Sequence, residues 1–227
     1  MKTLLITFSG IDGAGKSTQI AKLTSYVDAQ QMAIRQLAFW DDVVMFRGLR
    51  TGFSRKVLQS DGAVGTPERP AQRNDKNTQT LPLLVGRSVL HIFDVFRLRR
   101  VVKRALRQSR GGVVIFDRYI YDQLAALPMH KWLVRSYARL LLWIAPKPDV
   151  AYLLDAIPEE ARARKPEYPL EFMKNYRRSY LQLRDIAGMQ LIAAGNPEQV
   201  HSAIIDGFNK TAGGIGPRSQ LRDALTA

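Results

Sequence analysis

Apolar positions along this chain switch repeatedly between a run of consecutive residues and a helical spacing. Residues 4–8, apolar but for Thr7, predict a short buried strand ending at Gly10. Residues 16–30 follow with Ile20, Leu23 and Val27 on one helical face. A second strand is predicted over 33–39 and a helix over 49–59. The polar stretch 61–80, rich in Pro and Gly, then reads as a long loop. A long helix fits 83–108, a strand fits 113–116 ending in Asp117, and a further helix fits 130–144. DVAYLLD supplies another strand and 170–187 another helix. The chain then closes with a short strand and a short helix, with Asn196 as its cap and Pro197 at its first position. Strand–helix alternation of this kind predicts an α/β fold, a three-layer arrangement in which a parallel sheet of about five strands carries helices on both faces.

Composition narrows what such a fold can do. The 227 residues contain no cysteine, which excludes disulfides, thiolate nucleophiles and cysteine-bound zinc. The three histidines stand apart from one another without ligand spacing, which argues against a transition-metal site. No apolar run approaches the ~20 residues of a membrane span, and the N-terminus lacks a cleavage pattern, so the expected location is cytoplasmic with no membrane partner. The 34 Lys and Arg against 20 Asp and Glu give a formal charge of +14, a surface that attracts anions: nucleic acid, acidic lipid or phosphorylated small molecules. Residues 97–110 carry the densest basic run. A helix there places Arg97, Arg100, Arg104 and Arg107 on one solvated face while Leu98, Val101, Val102, Ala105 and Leu106 pack inward. WLVRSYARLLLWIAP offers an apolar stripe, either core or a face for a partner.

The chemistry concentrates at the first strand-to-helix junction. Gly10-Ile11-Asp12-Gly13-Ala14-Gly15-Lys16-Ser17 satisfies G-x-x-x-x-G-K-[ST] between a buried strand and an amphipathic helix, the setting a P-loop requires. Its glycines let main-chain N–H groups cradle phosphate oxygens at the positive end of the helix. Lys16 can reach the β- and γ-phosphates of ATP, the Ser17 hydroxyl can ligate Mg²⁺, and Thr18 completes the loop. The sequence does not satisfy the dinucleotide fingerprint G-x-G-x-x-G here, and no N-K-x-D guanine signature appears. In VVIFDR, a carboxylate at the end of a strand beside the P-loop can hold Mg²⁺, directly or through water. Arg118 next to it can bind an anionic acceptor; an Asp there can also be a simple helix cap.

FSGIDGAGKST resembles the P-loop of thymidylate kinases, and FDRY (116–119) resembles that family's aspartate-arginine-tyrosine motif. DVAYLLDAIPEEARAR, LEFMKNYRRSYLQL and NPEQVHSAI resemble its carboxyl-terminal third in order and spacing. The resemblance covers about two-thirds of the chain. It implies phosphoryl transfer from MgATP to a nucleoside monophosphate, dTMP to dTDP, within a kinase domain over 1–208. The lid would lie near 156–169, the acceptor-binding region near 40–95, and a peripheral tail at 209–227. It further implies that Asp12 helps hold the acceptor, that Lys16 and Ser17 serve ATP and Mg²⁺, and that Arg118 clamps the acceptor phosphate. Arg87 matches the arginine of the acceptor helix, and the protein would form a homodimer. Because Gly13 stands where other members carry an arginine, the transition-state cation is expected from Arg162, Arg164 or Lys165. Those charges also suit the last turn of a short helix on macrodipole grounds alone.

The chain departs from the family around the acceptor base. FWDDVVMFRG replaces the arginine-glutamate-proline-glycine-glycine turn, IYDQLAALPMHKW follows the aspartate-arginine-tyrosine motif, and Leu83 stands where an aromatic would stack on thymine. Asp41 and Asp42 therefore raise a rival: a kinase whose acceptor is a nucleoside or another small hydroxyl or phosphate compound, with a carboxylate taking the proton. A nucleotide-gated nucleic-acid-binding protein is the third reading, and the weakest.

Overall fold

The computed structural model describes residues 2–44 and 81–213, with side chains beginning at residue 88 in the second segment. The expectations for 49–59, for the 61–80 loop and for the part of the 209–227 tail beyond residue 213 lie outside the described residues.

Five strands form one all-parallel sheet: β1 (Leu4–Ser9), β2 (Ile34–Ala38), β3 (Val113–Asp117), β4 (Val150–Leu154) and β5 (Gln190–Ile192), in the order β2-β3-β1-β4-β5. The helices are α1 (Lys16–Ala29), α2 (Leu81–Gln108), α3 (Ile120–Ala125), α4 (Trp132–Ile144), α5 (Pro158–Arg164), α6 (Leu170–Ala187) and α7 (Pro197–Ala212).

The period-2 alternation of the strands sorts the core into two layers. Leu4, Ile6 and Phe8 of β1, with Val113, Ile115, Tyr152 and Leu154, face Ile20, Leu23 and Val27 of α1 and Ile204 and Phe208 of α7. Leu5, Val114, Phe116 and Leu153 point the other way, onto Val95, Leu98 and Val102 of α2, Leu124 of α3, Leu141 of α4 and Leu183 of α6. Both faces of the sheet are thus covered, which is why its central strands read as continuous apolar runs.

Two elements are not predicted by the sequence pattern. Residues 120–125 form the short helix α3, whose six positions are all buried. Complete burial removes the amphipathic period by which a helix is recognised. Residues Phe39–Val43 wind into one π-helical turn directly after β2, held where Asp42 Oδ2 accepts from Ala38 N at 2.7 Å. The final helix is longer than expected, 16 residues, and begins as predicted: Asn196 Oδ1 accepts from Gln199 N at 2.9 Å ahead of Pro197.

In a parallel sheet of this order the connections leave β1 and β3 toward opposite sides. The crevice at the carboxyl ends of these neighbouring strands is where such folds bind ligands. The register pairs Phe8 with Asp117, so the loop after β1 and the loop after β3 open side by side.

Candidate functional site

The loop after β1 has the shape its glycines permit. Gly10, Gly13 and Gly15 have φ of 144°, 81° and 84°, all in the half of conformational space that L side chains avoid. A Cβ at Gly10 would overlap the Leu154 carbonyl oxygen, and one at Gly13 would overlap the carbonyl of Ala161 on α5. The turn therefore closes against β4 on one side and against α5 on the other. No side chain caps α1, whose N-terminal cap position is Gly15, so the helix presents its first N–H groups to the loop side, as a phosphate cradle requires.

Lys16, in the first turn of α1, is 7% exposed, and its ammonium folds back over the loop, donating to Gly10 O at 3.0 Å and Ile11 O at 2.9 Å. Burial, reinforced by the positive charge of Arg118, lowers its pKa from 10.5 to about 8; Asp12, Asp122 and Asp117 pull the other way. Ser17 and Thr18 follow as exposed residues of the same turn.

Arg118 leaves β3 in the left-handed region at φ 66°, its N–H donating to Phe8 O at 2.9 Å across the strand ends. Its guanidinium is ion-paired to Asp12 of the P-loop through Nη2 and to Asp122 through Nη1 at 2.8 Å. Burial alone would lower the Arg118 pKa, yet the carboxylates of Asp122 and Asp12 outweigh it and hold the group above its ordinary value. A non-glycine residue at positive φ, with its side chain clamped from both sides, is backbone strain held in place at a site.

Asp122 was not anticipated from sequence. Its side chain is fully buried: Oδ1 accepts from Arg118 and from the Tyr180 hydroxyl at 2.6 Å, and Oδ2 accepts from the Ser9 hydroxyl at 2.8 Å. The Tyr176 hydroxyl donates to the Asp122 carbonyl at 2.7 Å. Burial, and then the negative charge of Asp122, raise both tyrosines above the usual phenol range, keeping them donors. The four-residue spacing of Tyr176 and Tyr180 on α6 was the available signal, but it needs the fold to supply its target.

Asp117 ends β3 beside Phe8, with its Oδ1 buried and without a hydrogen-bond partner among the described residues. The residue at the cap of α3 is Tyr119, whose N–H meets Asp122 Oδ2 at 3.3 Å, so capping does not account for Asp117. An unsatisfied carboxylate oxygen within electrostatic range of Lys16 suits a cation shared with phosphate. Among the described residues no group of three or more His, Asp or Glu side chains could hold a metal by itself. Mg²⁺ characteristically takes one or two protein oxygens plus phosphates and water.

On α5 the acidic first turn (Glu159, Glu160) and basic last turn (Arg162, Arg164) follow the macrodipole. Arg162 Nε donates to Tyr168 O at 3.2 Å, and Lys165 pairs with Glu167 at 3.3 Å. Arg164 is exposed, with no ion pair or hydrogen bond among the described residues. Beyond the P-loop, Asp41 is exposed and Asp42 is engaged by the π turn, its carbonyl accepting from Arg97 Nε at 3.2 Å. An open cleft of about 570 Å³ lined by Phe93, Phe96, Arg97, Arg100, Val101 and Arg104 runs along α2 from there. The Arg87 side chain lies outside the described ones.

These features agree with comparison to known proteins. No protein-family model matches the chain. It is 27% identical over 231 residues to a thymidylate kinase of Chlorobium luteolum, covering 91% of this chain and 97% of the relative. It is 30% identical over 188 residues to a thymidylate kinase of Chlorobium chlorochromatii, covering 74% and 68%. Its fold matches the crystal structure of thymidylate kinase from Ehrlichia chaffeensis with a TM-score of 0.50 at 18% identity, over 91% of this chain and 98% of that one. With the P-loop, the clamped arginine after β3 and the helix closed over Gly13 all carried on one parallel sheet, the chain belongs to the thymidylate kinase family.

Proposed function

We propose that the protein transfers the γ-phosphoryl group of MgATP to dTMP, giving dTDP and ADP. The observation that carries this reading is the ion pair joining Asp12 of the donor loop to Arg118 of the acceptor side, with Lys16 close enough to feel both. An acceptor phosphate oxygen attacks the γ-phosphorus in line as the bond to the β–γ bridging oxygen breaks, and that oxygen leaves with ADP. Little covalent help is needed, so the protein's task is placement and neutralisation of charge.

In this reading the main-chain amides of residues 10–18 hold the donor phosphates. Lys16 moves from the Gly10 and Ile11 carbonyls onto the β- and γ-oxygens, a short swing of a side chain already aimed into the loop. Ser17 and Asp117 would hold Mg²⁺, which would supply positive charge to offset that of the phosphates. Asp12 and Arg118 orient the acceptor phosphate, and Arg87 and Asp41 belong to the acceptor side. Of the lid cations, Arg164 is the one assigned to the transition state, because Arg162 and Lys165 are engaged elsewhere. The lid near 156–169 and the acceptor region near 40–95 are parts of one domain over 1–208. The reaction is placed in the cytoplasm, within nucleotide biosynthesis. A homodimer is the assembly the family resemblance implies, and Val89, Phe93 and Phe96, exposed on α2, supply an apolar edge for it.

A second reading keeps the donor half and changes the acceptor. Arg118 already carries two carboxylates, Asp12 and Asp122, which leaves less positive charge for a dianionic phosphate and favours a hydroxyl acceptor. A panel of nucleoside monophosphates and nucleosides assayed with MgATP separates the two. dTMP-dependent formation of ADP with dTDP as product supports the first reading. Turnover of nucleosides alone supports the second, and ATP consumption without any acceptor dependence defeats both.

A further inference from the structure

One edge of α6, extended by Tyr168 just before the helix, is aromatic from the lid segment to the acceptor side. Tyr168, Phe172, Tyr176 and Tyr180 recur every four residues, with successive ring centroids 5.2, 5.5 and 4.8 Å apart. The three tyrosines are buried and Phe172 is half-buried. Such a row on the inner face of an amphipathic helix ordinarily fills core, for which Leu or Phe suffices. Here the last two rungs are phenols, and a buried hydroxyl is costly unless it is bonded. Both hydroxyls reach one residue: Tyr176 donates to the Asp122 carbonyl at 2.7 Å, and Tyr180 donates to Asp122 Oδ1 at 2.6 Å.

The opposite end of the row is tied to the lid. Arg162 Nε of α5 donates to the Tyr168 carbonyl at 3.2 Å. On another side of α6, Arg177 holds Asp155, directly after β4, through Nε and Nη2, both at 2.6 Å. Lys174 meets Glu159 in the first turn of α5 at 3.1 Å. The Ala161 carbonyl of α5 lies against Gly13. These contacts close a ring that leaves the P-loop at Gly13, runs through α5 and the aromatic row to Asp122 and Arg118, and returns to the same loop at Asp12.

We propose that this aromatic edge sets the acceptor-side arginine according to where the lid lies, which makes Tyr176 and Tyr180 positioning residues for acceptor binding; the inference rests on the phosphoryl-transfer reading of the site. An acceptor phosphate must draw on Arg118, and the Asp122 carboxylate competes with it for that cation. When Arg118 turns toward the acceptor, Asp122 stays behind, because the Ser9 and Tyr180 hydroxyls still donate to it. Where it stays is fixed by Tyr180. From Phe172 to Tyr180 the row spans about 12 Å at ~1.5 Å per residue, and closely packed rings pass a shift at one end to the other. Movement of α5 over the donor phosphates therefore reaches Asp122 and, through it, Arg118. The direct pair of Asp12 with Arg118 senses the P-loop itself, whereas the row senses the lid.

The test uses the full chain and variants that leave both ligand loops intact. Tyr180→Phe keeps the ring and removes its hydroxyl, and Phe172→Ala removes a rung one step away from Asp122. Each should raise KM for dTMP about five-fold or more while KM for ATP stays within about two-fold. The double variant should be no worse than the larger single effect, because both cut the same path. Phe172→Tyr, which restores a ring, should bring KM for dTMP back to within about two-fold of wild type. Without any ligand, Phe172→Ala should quicken amide exchange across 118–125 about ten-fold or more, with exchange in β1 unchanged. A role in packing alone would lower the melting temperature and leave both KM values as they were. The proposal is overturned if Phe172→Ala moves both KM values alike or neither, if the two single effects multiply in the double variant, or if exchange across 118–125 does not change. Inactivity of the wild type with dTMP defeats the acceptor assignment instead, and the exchange comparison, which involves no ligand, then decides this proposal.

Discussion

Asp122 Oδ1 accepts from Arg118 Nη1 at 2.8 Å inside the protein, while the Tyr180 hydroxyl donates to the same oxygen at 2.6 Å. A buried carboxylate of this kind fixes the arginine beside it, and with it the orientation of the acceptor side. Replacing it removes one charge of a buried pair and leaves the other uncompensated, which costs about 3–5 kcal/mol where both partners are desolvated. Asp12 still faces Arg118, so the lower end applies. Asp122→Asn should lower the unfolding free energy by roughly 3 kcal/mol. Activity should lose acceptor affinity more than ATP affinity; equal KM values for both substrates in wild type and variant would show that Asp122 is structural only.

Gly13 lies against the Ala161 carbonyl at φ 81°. Gly13→Ala introduces both a Cβ at positive φ, worth about 1–2 kcal/mol, and an overlap that only displacement of α5 relieves. Turnover should fall at least ten-fold, and amide exchange in 156–169 should quicken. Gly13→Arg should do the same and not restore the arginine that other family members carry there, because α5 occupies the space.

Lys16 links activity to pH through its pKa of about 8. The ammonium is the form that binds phosphate, so kcat/KM for ATP should fall about ten-fold per pH unit above that value. kcat at saturating ATP should hold to higher pH, because bound phosphates favour the proton. Stability runs the opposite way. Between about 8 and 10.5 the unfolded chain keeps a proton that the folded one has lost, so this group makes unfolding harder as pH rises through that window. Lys16→Met should accordingly raise the melting temperature of the ligand-free protein at pH 7 while abolishing phosphoryl transfer.

Asp117 has a buried oxygen without a partner among the described residues. Asp117→Asn should leave the melting temperature nearly unchanged and raise the Mg²⁺ concentration for half-maximal rate ten-fold or more, read from a metal titration at saturating ATP. An unchanged titration would remove Asp117 from the metal site.

Much of the fold was legible because the chain states it locally. The P-loop spacing, the apolar runs of β1, β3 and β4, the boundaries of α6 and the Asn196–Pro197 start of α7 depend on near neighbours, which hydrophobic period and turn chemistry report. Only tertiary structure decided what those elements enclose. Strand order set the P-loop beside Arg118, and burial on every side made α3 invisible to periodicity and brought Asp122 to the arginine. Folding of the segment after α5 engaged Arg162 with the Tyr168 carbonyl and Lys165 with Glu167, and packing of α4 on the core left its tryptophans outward. The reason is physical. Periodicity measures which face of an element is apolar, whereas the partner of a buried charge, and which side of a helix with apolar residues all round it remains in water, depend on residues distant in the chain.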